Sequence, residues 1–266
     1  MQHLALGIEY DGSSFHGFQR QQNVSSIQAT LEASLSKVAD QPIRVVAAGR
    51  TDTAVHATGQ VVGFVSSNNR PLSAWIKGTN SHCPTSVKVR WAHEVDSDFH
   101  ARYSATARRY LYIYYEADAD SPLLASRAVR ERELNDEAMH RAARCLIGEH
   151  DFSSFRGAGC QSKSAHRCVH NIAVHRAGSF VIIDIVANAF LLHMVRNING
   201  SLVEIGTGRR PEGWLEELLH CRDRRQGAKT APPGGLYLVS VTYPGFSFPK
   251  PLLPGVLRAL GGLDRF

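Results

Sequence analysis

The chain has 266 residues, 43% of them hydrophobic and 20% charged. That balance excludes a disordered, collagen-like or mucin-like polypeptide and leaves room for one large or two small domains with a core that needs no staples. Thirty Lys and Arg against 24 Asp and Glu give a net charge of +6, spread along the chain without a basic block, so polyanion partners are favoured but not demanded.

Leu4, Leu6, Ile8 and Tyr10 alternate with other residues, which predicts a strand, and Asp11-Gly12 supplies a turn signal. Ser25 and Gln28 have capping-box spacing ahead of Ile27, Leu31, Leu35 and Val38, so a helix is expected to about Ala39. Short apolar runs predict strands over 43–48 and 61–65, a helix is expected over 71–81, and Val87, Val89 and Trp91 predict another strand. The order strand, helix, strand, strand, helix, strand is the split βαβ, ferredoxin-like pattern, shared by RNA-binding modules and unrelated proteins alike.

A second pass begins near Ala105. Arg109, Leu111, Ile113 and Tyr115 share one face of a predicted strand, with Tyr110, Tyr112 and Tyr114 on the other. Asn135 is placed to cap a helix with an apolar stripe of Met139, Ala142, Ala143 and Leu146. Strands over 172–175 and 180–186 pair through Ala177-Gly178-Ser179, a helix marked by Leu191, Val195, Ile198, Leu202 and Ile205 ends at Gly206, and Pro211 suits the first turn of the next. Pro232-Pro233-Gly234-Gly235 leads into a strand over 236–241, and Pro and Gly over 244–266 suggest a loosely packed tail. The expected fold class is α+β, with two ferredoxin-like (RNP-like) halves of mainly antiparallel sheet facing a central active-site cleft. The expected domains are 1–104, 105–245 and a tail, 246–266.

The densest polar cluster is Gly49-Arg50-Thr51-Asp52-Thr53-Ala54-Val55-His56-Ala57-Thr58-Gly59-Gln60, in the gap between two predicted strands. Loops between rigid strands are where sites are commonly built. Arg50 and Asp52 leave an extended chain on one side, and an adjacent guanidinium favours the ionised carboxylate, fit for a nucleophile, a base or an electrostatic stabiliser. A structural Arg–Asp pair fixing a loop is the plainer reading of the same residues. Tyr110 offers a ring for stacking, Arg196 is a charge within an apolar helix, and His193 is a possible base, although core, snorkelling and satisfied-histidine readings apply to each. Arg222, Arg224 and Arg225 read as a solvated helix end. Five cysteines without a CxxC pair speak against a disulfide framework or a zinc ribbon, and Cys160, Cys168, His166 and His170 read as scattered loop side chains, with a metal-dependent hydrolase as the distant alternative. No apolar run reaches about 18 residues and no charged flank precedes an apolar N-terminal core, so neither a membrane span nor a secretory signal is expected and the chain reads as cytoplasmic.

From about Leu4 to Pro244 the sequence resembles the TruA family of transfer-RNA pseudouridine synthases. The anchors include Tyr10-Asp11-Gly12, Phe18-Gln19-Arg20-Gln21, Gly49-Arg50-Thr51-Asp52, Phe99-His100-Ala101-Arg102, Arg109-Tyr110, Asp151-Phe152-Ser153-Ser154-Phe155, His193-Met194-Val195-Arg196-Asn197 and Gly235-Leu236-Tyr237-Leu238. The resemblance implies isomerisation of uridine to pseudouridine at positions 38, 39 and 40 of the anticodon arm of transfer RNA, by a homodimer without metal or organic cofactor. It implies Asp52 as the catalytic aspartate, Arg50 engaging it, and Arg196 pairing with it in the cleft between domains. Tyr110 would stack on the target base, with Leu236 and His56 in the base-binding set. Attack on the base, attack on the ribose and abstraction of a ribose proton all fit a carboxylate there. One departure follows Asp52, where Thr53-Ala54 stands in place of the family's usual Ala-Gly: either the loop avoids positive φ or Asp52 is displaced. Activity is expected to survive; the alternative is a catalytically weakened RNA-binding or tRNA-folding paralogue.

Overall fold

The computed structural model describes residues 1–258. By contact these form two compact units, Met1–Thr106 with Tyr237–Arg258, and Ala107–Leu236. In the first, β1 (Gln2–Tyr10), α1 (Ile27–Ala39), β2 (Val46–Ala47), β3 (His56–Ser66), α2 (Leu72–His82) and β4 (Val87–Glu94) follow the expected order. β1 runs antiparallel between β3 and β4, with Leu4 opposite Phe64 and Leu6 opposite Val62. Even-numbered residues of β1 and β3 share the helix-covered face, where Phe64 meets the buried ring of Trp75 on α2 edge-on at 5.2 Å. The opposite face needs small residues, because a Cβ on Gly7 would lie 2.0 Å from the indole nitrogen of Trp91.

Two local expectations shift for identifiable reasons. The cap of α1 is Ser26, whose hydroxyl accepts from Ala29 N–H, while Gln28 turns away to accept from Arg20 N–H and to donate to Glu32, so no capping box forms with Ser25. The strand expected over 43–48 shrinks to Val46 and Ala47, because Ser36 Oγ takes the Ile43 amide and Glu32 Oε1 the Val45 amide.

The second unit contains β5 (Ala107–Glu116), β6 (Val129–Glu131), α3 (Asp136–Ala143), β7 (Gly148–Asp151), β8 (His166–Ala177), β9 (Phe180–Ala187), α4 (Met194–Gly206) and α5 (Trp214–Cys221). Its sheet has the order β5-β9-β8-β7, antiparallel throughout, with β6 added parallel to β5. Asn135 caps α3 through Ala138 N–H at 2.9 Å, as its position predicts. α4 begins at Met194, not Leu191, because His193 takes a left-handed φ of 59° that breaks the helix before it. Pro211 stands ahead of α5, its carbonyl accepting from Trp214 N–H.

A last strand, β10 (Leu236–Thr242), counted above with the second half, pairs parallel with the start of β3, Tyr237 opposite His56 and Leu238 opposite Ala57. The chain beyond it is packed rather than loose. Phe248 stacks on Trp91 at 4.6 Å, Phe246 meets Phe99 edge-on at 5.1 Å, and the Tyr243 hydroxyl donates to Ala101 O at 2.6 Å. Leu257 of the short helix α6 (Gly255–Arg258) is fully buried. The remainder of the expected tail, 259–266, lies outside the described residues. Among the described residues no helix is long and apolar enough to cross a membrane.

Candidate active site

The polar cluster divides in the structure. His56 to Gln60 belong to β3, which leaves 48–55 as the connection from β2. Thr51 is its buried anchor, with its hydroxyl 2.8 Å from that of Tyr10 at the end of β1 and its carbonyl accepting from Phe18 N–H at 2.9 Å. From β3, Gln60 Nε2 donates to Gly49 O at 2.7 Å and to the Tyr10 hydroxyl at 3.4 Å. Burial pushes the Tyr10 phenol up to about 12, against the opposing pull of its bonds to Thr51 and Gln60. It stays protonated across any working pH.

With Thr51 turned inward, its neighbours are more open to solvent: Arg50 is exposed and Asp52 half-buried. Asp52 O accepts from Val55 N–H at 3.2 Å, closing a turn in which Ala54 has a φ of 62°. The loop therefore does adopt the left-handed conformation, and Ala54 holds it without the freedom of glycine. Gly12 closes the other side, where a Cβ would sit 2.0 Å from Val55 O.

His56 is 2% exposed and its ring stacks on that of Tyr237 at 4.7 Å. Its Nδ1 lies 3.1 Å from Gly12 N and 3.2 Å from Asp11 Oδ1. One nitrogen cannot accept from the amide and donate to the carboxylate at once. The Gly12 contact belongs to the tautomer with its proton on Nε2, the Asp11 contact to a ring protonated at Nδ1. The Asp11 carboxyl lies well below the usual carboxylate range, chiefly through His56 and, against desolvation, through the Ser13 hydroxyl and amide. So buried a ring has little surface to offer a substrate and supports the loop from beneath.

Tyr110, Arg196 and Leu236 belong to the second unit. Tyr110 lies on β5, largely buried, with Phe190 edge-on at 5.0 Å, and its neighbour Arg109 grips Asp184 through both carboxylate oxygens at 2.8 and 2.7 Å. That pairing raises the Arg109 guanidinium above its ordinary value and leaves Tyr110 on the opposite face of the strand. Arg196 sits half-buried in the first turn of α4, its Nε donating to Ala231 O at 2.8 Å, while Ala231 N–H returns a bond to Arg196 O. Leu236 is buried at the start of β10. His193 precedes α4 in its left-handed conformation.

The basic run does not behave as one solvated face. Arg224 turns inward to Asn197 Oδ1, Ala228 O and Thr230 Oγ1, whereas Arg225 pairs locally with Asp223. Cys168 Sγ lies 3.8 Å from His170 Nδ1, and among the described residues no group of three or more His, Cys, Asp or Glu side chains could hold a metal ion. Sequence reasoning missed the supporting roles of Tyr10, Gly12 and Gln60. The Tyr10-Asp11-Gly12 anchor was the available signal, but its meaning depends on β1 lying beside β3.

The sequence matches the family described as tRNA pseudouridine synthase over residues 7–104 and 142–244. Among curated relatives it is 55% identical to tRNA pseudouridine synthase A of Yersinia pestis, covering 93% of this chain and 94% of that one. It is 54% identical to the protein of that name from Shewanella denitrificans and 53% identical to that of Pseudoalteromonas atlantica, covering in both cases 93% of this chain and 95% of the relative.

Proposed function

The chain belongs to the tRNA pseudouridine synthase family, and from that premise we propose that it isomerises uridine to pseudouridine at positions 38, 39 and 40 in the anticodon arm of transfer RNA, with Asp52 as the catalytic carboxylate. The observation that carries the assignment is the loop 48–55: Thr51 is pinned inward from β1 and Gly49 is held from β3, so the adjacent Asp52 is displayed from a rigid scaffold. Arg50 engages Asp52, Arg196 supplies a cation to the reacting centre, and Tyr110 stacks on the target base. Leu236 lines the base pocket, and His56 supports the loop that carries Asp52.

The chemistry asks for these groups. The bond from ribose to N1 of uracil breaks and one to C5 forms, so the base must be held while detached and turned. A carboxylate can retain it covalently or stabilise the charge that develops. A uridine in or beside a stem must first leave the stack, and an aromatic ring such as Tyr110 restores roughly 1–3 kcal/mol of stacking. The reaction is redox-neutral and needs neither nicotinamide nor phosphate loop. The geometric case for a weakened paralogue loses its ground, because Ala54 takes the positive φ that the family's usual glycine permits.

We read both units as ferredoxin-like halves. The β4-β1-β3-β2 order with two helices on one face supports this for the first, and the antiparallel β5-β9-β8-β7 sheet with α3 packed on β8 supports it for the second. The working form is read as a cytoplasmic homodimer. The test is tritium release from tRNA labelled at uridine C5. Wild type releases tritium, Asp52→Ala does not while still binding tRNA, and Arg196→Met loses turnover more than affinity. Equal release from Asp52→Ala would remove Asp52 from the chemistry, and no release from wild type would remove the activity.

A further inference from the structure

Tyr10, Thr51 and Gln60 form a buried chain of hydrogen bonds that ends one residue from Asp52. The Gln60 end of the chain has a fixed direction. Gln60 Oε1 accepts from Val61 N–H at 3.2 Å, which orients the amide so that Nε2 faces Gly49 O and the Tyr10 oxygen. An amide nitrogen only donates, so the Tyr10 oxygen accepts there, and the Tyr10 and Thr51 hydroxyls share a further bond of 2.8 Å in which either can be the donor. Gln60 is 0%, Tyr10 2% and Thr51 7% exposed, so water cannot replace a lost partner. Packing alone would be served by phenylalanine at position 10. The hydroxyl adds a constraint on which way Thr51 faces, and through the peptide bonds on either side a constraint on its neighbours Arg50 and Asp52.

We infer that Tyr10 and Gln60 are positioning residues for the reaction: through the Thr51 hydroxyl and the Gly49 carbonyl they set the direction of the Asp52 carboxylate, without touching the substrate. This rests on the reading of Asp52 as the catalytic group. A displacement of the order of 1 Å at a reacting group lowers rates by about a hundredfold, so small loop movements register in turnover.

The experiment is a steady-state and binding comparison on full-length protein with unmodified tRNA. Tyr10→Phe lowers kcat roughly ten- to a hundredfold and leaves KM and the tRNA Kd within about twofold. Thr51→Val does the same, and the double variant falls no further than the worse single one, since each single change already breaks the Tyr10–Thr51 bond. Tyr243→Phe is the control: it deletes another buried tyrosine hydroxyl of the same unit, bonded to Ala101 O, and leaves kcat within about twofold. The inference is overturned by Tyr10→Phe turning over at the wild-type rate, by KM and Kd rising while kcat holds, or by Tyr243→Phe losing as much kcat as Tyr10→Phe. Asp52→Ala separates the two readings. If it is inactive while Tyr10→Phe is normal, only the positioning role fails; if it is active, both fail.

Discussion

Ala54 carries a methyl group at a φ of 62°, in the turn that follows Asp52. For an L-residue that conformation costs about 1–2 kcal/mol, and glycine escapes it at an entropic cost of about 0.5–1 kcal/mol. Ala54→Gly is therefore expected to stabilise the protein by about 0.5–1 kcal/mol, visible as a rise of about 1–3 °C in the thermal midpoint. A fall in the midpoint would show that the methyl group makes contacts worth more than the strain. The charged members of the loop were legible from local sequence, since Arg50 and Asp52 stand two apart in a polar run. Tyr10 and Gln60 were not, because their partners lie 41 and 11 residues away in the chain and meet them only when β1 and β3 align.

At the level of elements, hydrophobic periodicity located most helices and strands, because each buries a face whose spacing is written in the sequence. The misreadings arose where side chains compete for backbone amides. Glu32 and Ser36 strip the strand expected over 43–48 of its donors, and the left-handed His193 postpones α4. Residues 245–258 pack where a loose tail is expected, because Pro and Gly are turn signals that say nothing of the aromatic rings between them. Phe246 and Phe248 cover the face of the first sheet that the helices leave open, against Trp91, Phe99 and Tyr243. Phe248→Ala should lower stability by about 1.5–3 kcal/mol, read by denaturant unfolding at unchanged m-value. A change below about 0.5 kcal/mol would mean that the strap contributes nothing to the fold.

For the whole molecule, the +6 charge is modest for a protein that must grip a folded polyanion. Dimerisation would double it to about +12 without concentrating charge in one segment. The chain should run as a dimer at micromolar concentration by light scattering, and tRNA affinity should fall steeply with salt as released counterions are paid back. A monomeric mass would contradict this, as would an affinity indifferent to salt. The return of β10 to β3 was the least legible feature of the topology, since a parallel pairing across most of the chain leaves no periodic trace near either strand.

That return has a consequence for how the protein is made. The first unit takes its last strand from residues that a ribosome delivers only after the whole second unit has been made. Until Tyr237 and Leu238 emerge, the start of β3 lacks its neighbour, and His56 lacks the ring it stacks on. A nascent chain halted before residue 237 carries every atom of the Asp52 loop but not the support beneath it. Products terminated before Tyr237 are thus denied a finished site, and catalytic competence waits until the second unit has been synthesised.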